Sequence, residues 1–178
     1  MTPRITTPKN IDGEKVPAAE EFARLHESSL YSSQAQFEQM KIWRNVNYFL
    51  GVPAAILAAI SGGKGLATPT QMHLPAVLAL ISAGFATSVA ILNPSRKMMQ
   101  AQAMANSYLE IQTASRQYMT IGIQTDTIEG VISKLNEITK ARNELNKLAE
   151  PPMAIAYRRA KRQIALGGQN YEVDEKSQ

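Results

Sequence analysis

Cysteine is absent from the 178 residues, and with it go a disulfide framework, a thiolate metal site and a cysteine nucleophile. The two histidines, His26 and His73, are far apart, and neither has a second ligand at metal spacing. No glycine-rich phosphate loop and no serine-nucleophile elbow occurs. Paired carboxylates such as Glu20 and Glu21 fall on an ordinary charged helical stretch. The chain is therefore read as a non-enzyme that needs no metal or cofactor. The first forty residues lack the apolar core of a cleavable signal peptide, so a membrane segment has to act as its own insertion signal.

Charge is missing from one region altogether. No Asp, Glu, Lys or Arg occurs from Asn45 to Gly63 or from Gly65 to Ser95. As helices, these runs reach about 28 Å or more at roughly 1.5 Å per residue, enough for the hydrocarbon core of a bilayer. The expected fold is an all-α membrane protein: a two-helix transmembrane hairpin with spans at 46–62 and 74–92, long cytoplasmic helical extensions and a C-terminal helical region. The alternative is a buried helical hairpin in a soluble bundle, because the first run is short and holds Asn47 and Pro53.

The basic residues set an orientation. Lys41 and Arg44 precede the first span, Arg96 and Lys97 follow the second, and only Lys64 lies between them. The positive-inside rule then puts both termini in the cytoplasm, with Trp43 and Tyr48 at the inner interface. The net charge of +4 gathers after the hairpin, where twelve Lys/Arg face nine Asp/Glu, against six and six over residues 1–45. The C-terminal part is thus the anion-binding half.

Each span has a seam of small residues. In the first it is Gly51, Ala55, Ala58 and Gly62, and in the second Ala76, Ala79, Ala83, Ala86 and Ala90. Such seams let helix backbones approach closely in lipid. They either close the hairpin on itself or join neighbouring subunits, where Gly51, Ala55, Ala58, Ala79, Ala83, Gly84, Ala86, Thr87 and Ser88 become the span-packing or pore set. Thr87 and Ser88 have a simpler use as well, which is to bond back to their own helix.

Outside the spans, residues 1–16 read as a disordered arm, with two Thr-Pro pairs and no period. Residues 17–120 form the two-span domain, entered by a helix from Pro17 whose apolar residues Phe22, Leu25 and Leu30 recur at loosely helical spacing. Pro94 marks a kink beyond which the second span continues as a helix. The face Met104, Tyr108, Ile111, Ser115 and Tyr118 is expected to pack on the helix before the first span. Residues 121–166 form cytoplasmic helices. Asp126 with Glu129 resembles a capping box, and Ile128, Val131, Leu135, Ile138 and Leu145 make an amphipathic stripe suited to a coiled-coil contact within or between subunits. After Pro151 and Pro152 comes a short basic helix, where Arg158, Arg159, Lys161 and Arg162 read as a solvated face or as a contact for lipid headgroups or a nucleotide phosphate. Residues 167–178 form a polar tail.

The junction MKIWRNVNYF, the two-span hairpin, the Pro-Ser-Arg-Lys exit and the helix carrying ANSYLEI together resemble the SLATT family of bacterial two-transmembrane effectors, over about residues 17–120. The resemblance implies a role in antiphage or conflict systems. It also implies a homo-oligomer in the inner membrane that permeabilises it by a pore or by disruption. The partners it implies are a nucleotidyltransferase of the second-messenger type, a reverse transcriptase or a nucleotide signal, and no direct nucleic-acid binding is expected. No sensor domain is fused to this chain, so the trigger is a partner protein or a ligand of the C-terminal helices. The competing function is a non-conducting membrane scaffold that recruits a cytoplasmic partner through its amphipathic helices.

Overall fold

A computed structural model describes Pro8 and residues 11–67 and 73–168, the side chains of 64–67 excepted. The ordered elements are all helical: a 3₁₀ turn Gly13–Lys15, α1 Val16–Ala67, α2 His73–Leu92, α3 Pro94–Gln117, a π-helical turn Tyr118–Gly122, the single turn α4 Ile123–Thr125, α5 Ile128–Leu148 and α6 Ala154–Ala165. Helical structure thus begins at Gly13, inside the segment read as a disordered arm, whose first residues lie outside the described set. The loop residues 68–72 and the tail from 169 lie outside it too.

The chain divides into two compact units, Met1–Gln39 with Ala101–Gln178, and Met40–Gln100. This is not the division expected from the sequence, which cut the chain near residue 120. The C-terminal helices share one core with the start of α1 and with α3, so the unit boundaries fall inside helices.

In the first unit, α1 and α3 face each other along two stripes of buried residues. Ala19, Phe22, His26, Ser29, Ser33 and Gln36 on α1 are spaced alternately three and four apart, as are Ala101, Ala105, Tyr108, Gln112, Ser115 and Met119 on α3 and the turn after it. This is the seven-residue repeat of a helix pair, with small or polar side chains at nine of these twelve positions. The Phe22 and Tyr118 rings meet at 5.0 Å between centroids, and Gln112 Nε2 lies 3.4 Å from His26 Nε2. Of the expected face Met104, Tyr108, Ile111, Ser115 and Tyr118, Tyr118 touches α1 and Tyr108, Ile111 and Ser115 are buried, whereas Met104 is only half-buried and Gln112 and Met119 stand in the seam instead. Leu25, Ile111, Ile123, Val131 and Ile138 extend the core to α5.

The joint between α3 and α5 is held by a small network. Tyr118 donates to Asp126 Oδ2 at 2.7 Å, and the Thr127 N–H donates to Asp126 Oδ1 at 2.8 Å. Burial first, and then the hydrogen bond to Asp126, push the Tyr118 hydroxyl up to about 12, so it stays a donor. Lys15 Nζ donates to the carbonyls of Ile123 and Asp126 at 3.2 and 2.8 Å, satisfying groups that the helix break leaves open. The N-cap of α5 is Thr127, whose hydroxyl accepts from Gly130 N at 3.2 Å, and not Asp126. Asp126 is already committed to Tyr118, and a Cβ at position 130 would collide with its carboxylate, which is why glycine stands there.

The Pro151–Pro152 linker is fastened to α1. Gln36 Nε2 donates to the Glu150 carbonyl at 2.9 Å, and the Met153 N–H donates to Gln39 Oε1 at 3.0 Å. α6 then buries Ala156, Ala160 and Ile164. It ends in a Schellman motif, with Gly167 at φ 83° and bonds from Gly168 N to Gln163 O and from Gly167 N to Ile164 O.

Burial, and behind it the charge of Arg116, lowers the pKa of His26 to about 4. The imidazole is neutral, and protonating Nε2 would turn an acceptor for Gln112 into a second donor. The folded pKa lies below the unfolded value of about 6.5, so the unfolded state takes up the extra proton. The stabilisation is complete above pH 6.5 and is lost as pH falls toward 4, by about 3 kcal/mol on full protonation of the unfolded chain. Thermal unfolding of the full chain between pH 7 and pH 4.5 should therefore fall more steeply for wild type than for His26→Gln, and parallel pH curves would contradict the assignment.

Candidate functional site

The second unit is an apolar hairpin built from Met40–Gln100. Its two helices are long and apolar enough to cross a membrane, and its large side chains point outward: Phe49, Leu80 and Ile91 are each about three-quarters exposed. Within the hairpin α1 presents the half-buried Leu50, Ala54, Leu57 and Ser61, and α2 presents Pro75, Leu78, Ser82 and Phe85, of which Ser82 is buried.

Two hydrogen bonds tie these faces. Ser82 Oγ donates to the Ala54 carbonyl and Ser61 Oγ to the Pro75 carbonyl, both at 2.8 Å. Each donor and each acceptor is displaced by seven residues from its counterpart on the same helix, so the two bonds repeat one antiparallel register. Neither goes to the Phe49 carbonyl, the group that Pro53 leaves without its helical donor. At the far end of α2, Asn93 at φ 43° takes the left-handed conformation that asparagine tolerates. Its side chain accepts from Arg96 N at 3.4 Å, so the expected kink depends on Asn93 as well as on Pro94. Lys97 Nζ stands 5.0 Å from the Trp43 ring centroid, a cation–π contact at the edge of the apolar stretch.

The small-residue seams do not close the hairpin. Ala55, Ala58, Ala76, Ala79, Ala83, Gly84, Ala86 and Ala90 are exposed and Gly51 is half-buried, and a Cβ added at Gly51, Gly62 or Gly84 would meet nothing within 4 Å. The inward faces were chosen instead by the serines and by larger side chains. Thr87 donates to the Ala83 carbonyl at 2.8 Å and Ser88 to the Gly84 carbonyl at 2.9 Å, so both hydroxyls are spent on their own helix. Sequence reasoning missed Ser61 and Ser82. Their signal is that each is a hydroxyl within an apolar stretch, on the same helix face as larger apolar side chains, Leu57 for Ser61 and Leu78 for Ser82.

The C-terminal residues separate in use. Val131 and Ile138 are buried in the core of the first unit, Leu135 and Leu145 pack against it, and Ile128 is half-buried. Of the two contacts open to the stripe, within or between subunits, Val131 and Ile138 make the internal one, in the core that α5 shares with α1 and α3. Arg158, Arg159, Lys161 and Arg162 are all exposed and make no ion pair among the described residues. No group of three or more His, Asp or Glu among the described residues is arranged to hold a metal ion.

Interhelical hydrogen bonds in lipid contribute about 0.6 kcal/mol on average and up to about 1.7. Ser82→Ala and Ser61→Ala should each lower the thermal stability of the full chain in detergent by that order. Ser88→Ala, which loses only a bond within its own helix, should change it far less. Equal effects from all three would contradict the assigned register. In comparisons with known proteins, no family model, no curated protein and no solved structure matches this chain.

Proposed function

We propose that this chain is an oligomeric effector of a bacterial antiphage or conflict system, embedded in the inner membrane with both termini in the cytoplasm, that permeabilises the bilayer when a nucleotide signal or a partner protein triggers it. The observation behind the reading is the outward seam of α2. The hairpin closes with its serine faces and leaves uncovered the seam residues Ala79, Ala83 and Ala86, and Gly84 on the small patch displaced from them. In lipid, where helices gain nothing from mutual hydrophobic burial, a small-residue seam is a surface for close approach of another helix. Two helices cannot enclose an aqueous path, so permeation requires several copies.

The basic flanks Lys41, Arg44, Arg96 and Lys97 support the orientation. The resemblance of MKIWRNVNYF, the hairpin and ANSYLEI to SLATT effectors supports the biological role. The scaffold alternative loses its best surface, because the α5 stripe it would offer to a partner is buried in the chain's own core.

Gly84→Leu and Ala86→Leu are the informative variants. Position 84 has open space within one chain, so a larger side chain leaves the hairpin intact and acts only on contacts with other copies. Overfilling a close-packed interface costs about 1–3 kcal/mol, enough to bias an assembly whose closed and open states differ by a few kcal/mol. Dye uptake and membrane potential, with and without the neighbouring genes expressed, should show constitutive leakage or loss of triggered leakage with the protein still inserted. If neither variant alters permeability, and the wild type also never leaks in its operon, the scaffold reading replaces this one.

A further inference from the structure

Helix α6 is two-sided in a way that the core of the first unit does not use up. Ala156, Ala160 and Ile164 are buried on one side. Directly opposite, Ile155, Arg158, Arg162 and Leu166 follow one another at spacings of three, four and four residues, with Arg159 and Lys161 to either side, and all are exposed. No Asp or Glu occurs from Pro151 to Gly168, so the cations have no acid of their own segment to pair with. Ile155 and Leu166, 44% and 77% exposed, bracket the charges with apolar groups.

Charge and apolar groups on one outward face match an interfacial surface, in which cations meet headgroups and short apolar side chains enter the boundary below them. Connectivity brings α6 within reach of such a surface. Gln39 holds the Met153 N–H at the start of α6, and the charge-free stretch begins at Asn45. The intervening chain, even fully extended, spans no more than about 20 Å at roughly 3.5 Å per residue. A helix tethered that closely meets the membrane at high effective concentration.

We infer that α6 is a peripheral docking element whose Arg158, Arg159, Lys161 and Arg162, framed by Ile155 and Leu166, seat on anionic phospholipid headgroups of the bilayer that the hairpin crosses. This rests on the membrane reading of the hairpin but not on the effector role. Each basic side chain near an anionic surface contributes about fivefold to the preference for it. Removing three of them should weaken docking by roughly a hundredfold. The sequence after α6 holds the acids Glu172, Asp174 and Glu175, but an anionic bilayer presents many more charges.

The absence of cysteine permits a clean test on the full chain. Ala165→Cys places a nitroxide label on the outward face of α6, and Asn136→Cys places one on the exposed side of α5. Both are reconstituted in nanodiscs of phosphatidylcholine, alone or in a seven-to-three mixture with phosphatidylglycerol. Accessibility to a water-soluble paramagnetic reagent is then read. The label at 165 should be shielded in the anionic discs only, and the label at 136 in neither. Shielding should vanish in 1 M salt, where the screening length falls to about 3 Å. It should vanish in the Arg158→Gln/Arg159→Gln/Arg162→Gln chain and persist when the same three become Lys. Equal shielding in both lipids, or none in the anionic discs, overturns the inference without using any variant. So does shielding in neutral discs brought on by inorganic phosphate, which would assign the cations to a free phosphate ligand. A chain that fails to co-elute with the discs overturns the membrane reading itself, and that outcome is distinct from a failure of docking.

Discussion

A helical hairpin with no charged side chain along its apolar stretch, and with its largest side chains pointing outward, is the constraint under which the other features make sense. Eleven large apolar residues from Tyr48 to Leu92 are substantially exposed. Leaving such side chains in water forfeits about 1–2 kcal/mol each, a total that rivals the whole net stability of a small domain, about 5–15 kcal/mol. An apolar surrounding removes that penalty. It also removes the hydrophobic drive between the two helices, so their pairing has to come from elsewhere, and here it comes from two serine–carbonyl bonds in one register and from close packing.

The first unit solves a different problem. The N-terminal part of α1 is rich in serine and glutamine and would be a poor helix alone. It is held by a seven-residue seam on α3 and by polar links that reach the chain's other end: Gln36 and Gln39 to the α5–α6 linker, and Lys15 to the break before α5. The seam itself contains polar groups. Ser29 Oγ, Gln112 Oε1 and Ser115 Oγ are buried without a partner among the described residues. Such groups cost stability when unsatisfied, and small polar side chains in a helix interface trade it for a close, specific fit.

The two long apolar helices are legible in the sequence because absence of charge over a whole helix is a signal that needs no knowledge of partners. The stripe on α5 was equally legible, since its buried positions Val131 and Ile138 are apolar at seven-residue spacing. What it touches was not, because periodicity fixes a face and leaves the occupant open. The α3 side of the α1–α3 seam is legible from its apolar face, but the α1 side is not, for a chemical reason: His26, Ser29, Ser33 and Gln36 occupy positions that a hydrophobicity pattern scores as surface. The small-residue seams are legible as well, but the sequence leaves open whether they close the hairpin or face other helices, and within the hairpin they stay exposed. Composition cannot say which of two helix faces a hairpin closes with, and the deciding groups were single hydroxyls on Ser61 and Ser82. Asp126 was taken for a cap because its position fits, but its carboxylate was already engaged by Tyr118.

The central claim is that the outward α2 seam meets other copies of the chain while the serine face stays inside one hairpin. Single cysteines in this cysteine-free protein test it in native membranes. Under mild oxidation, Ala83→Cys and Ala86→Cys, both on the seam, should form disulfide-linked dimers, whereas Leu78→Cys, on the half-buried inner face, should not. Dimers at position 78 with none at 83 and 86, or none at any of the three, would contradict the account.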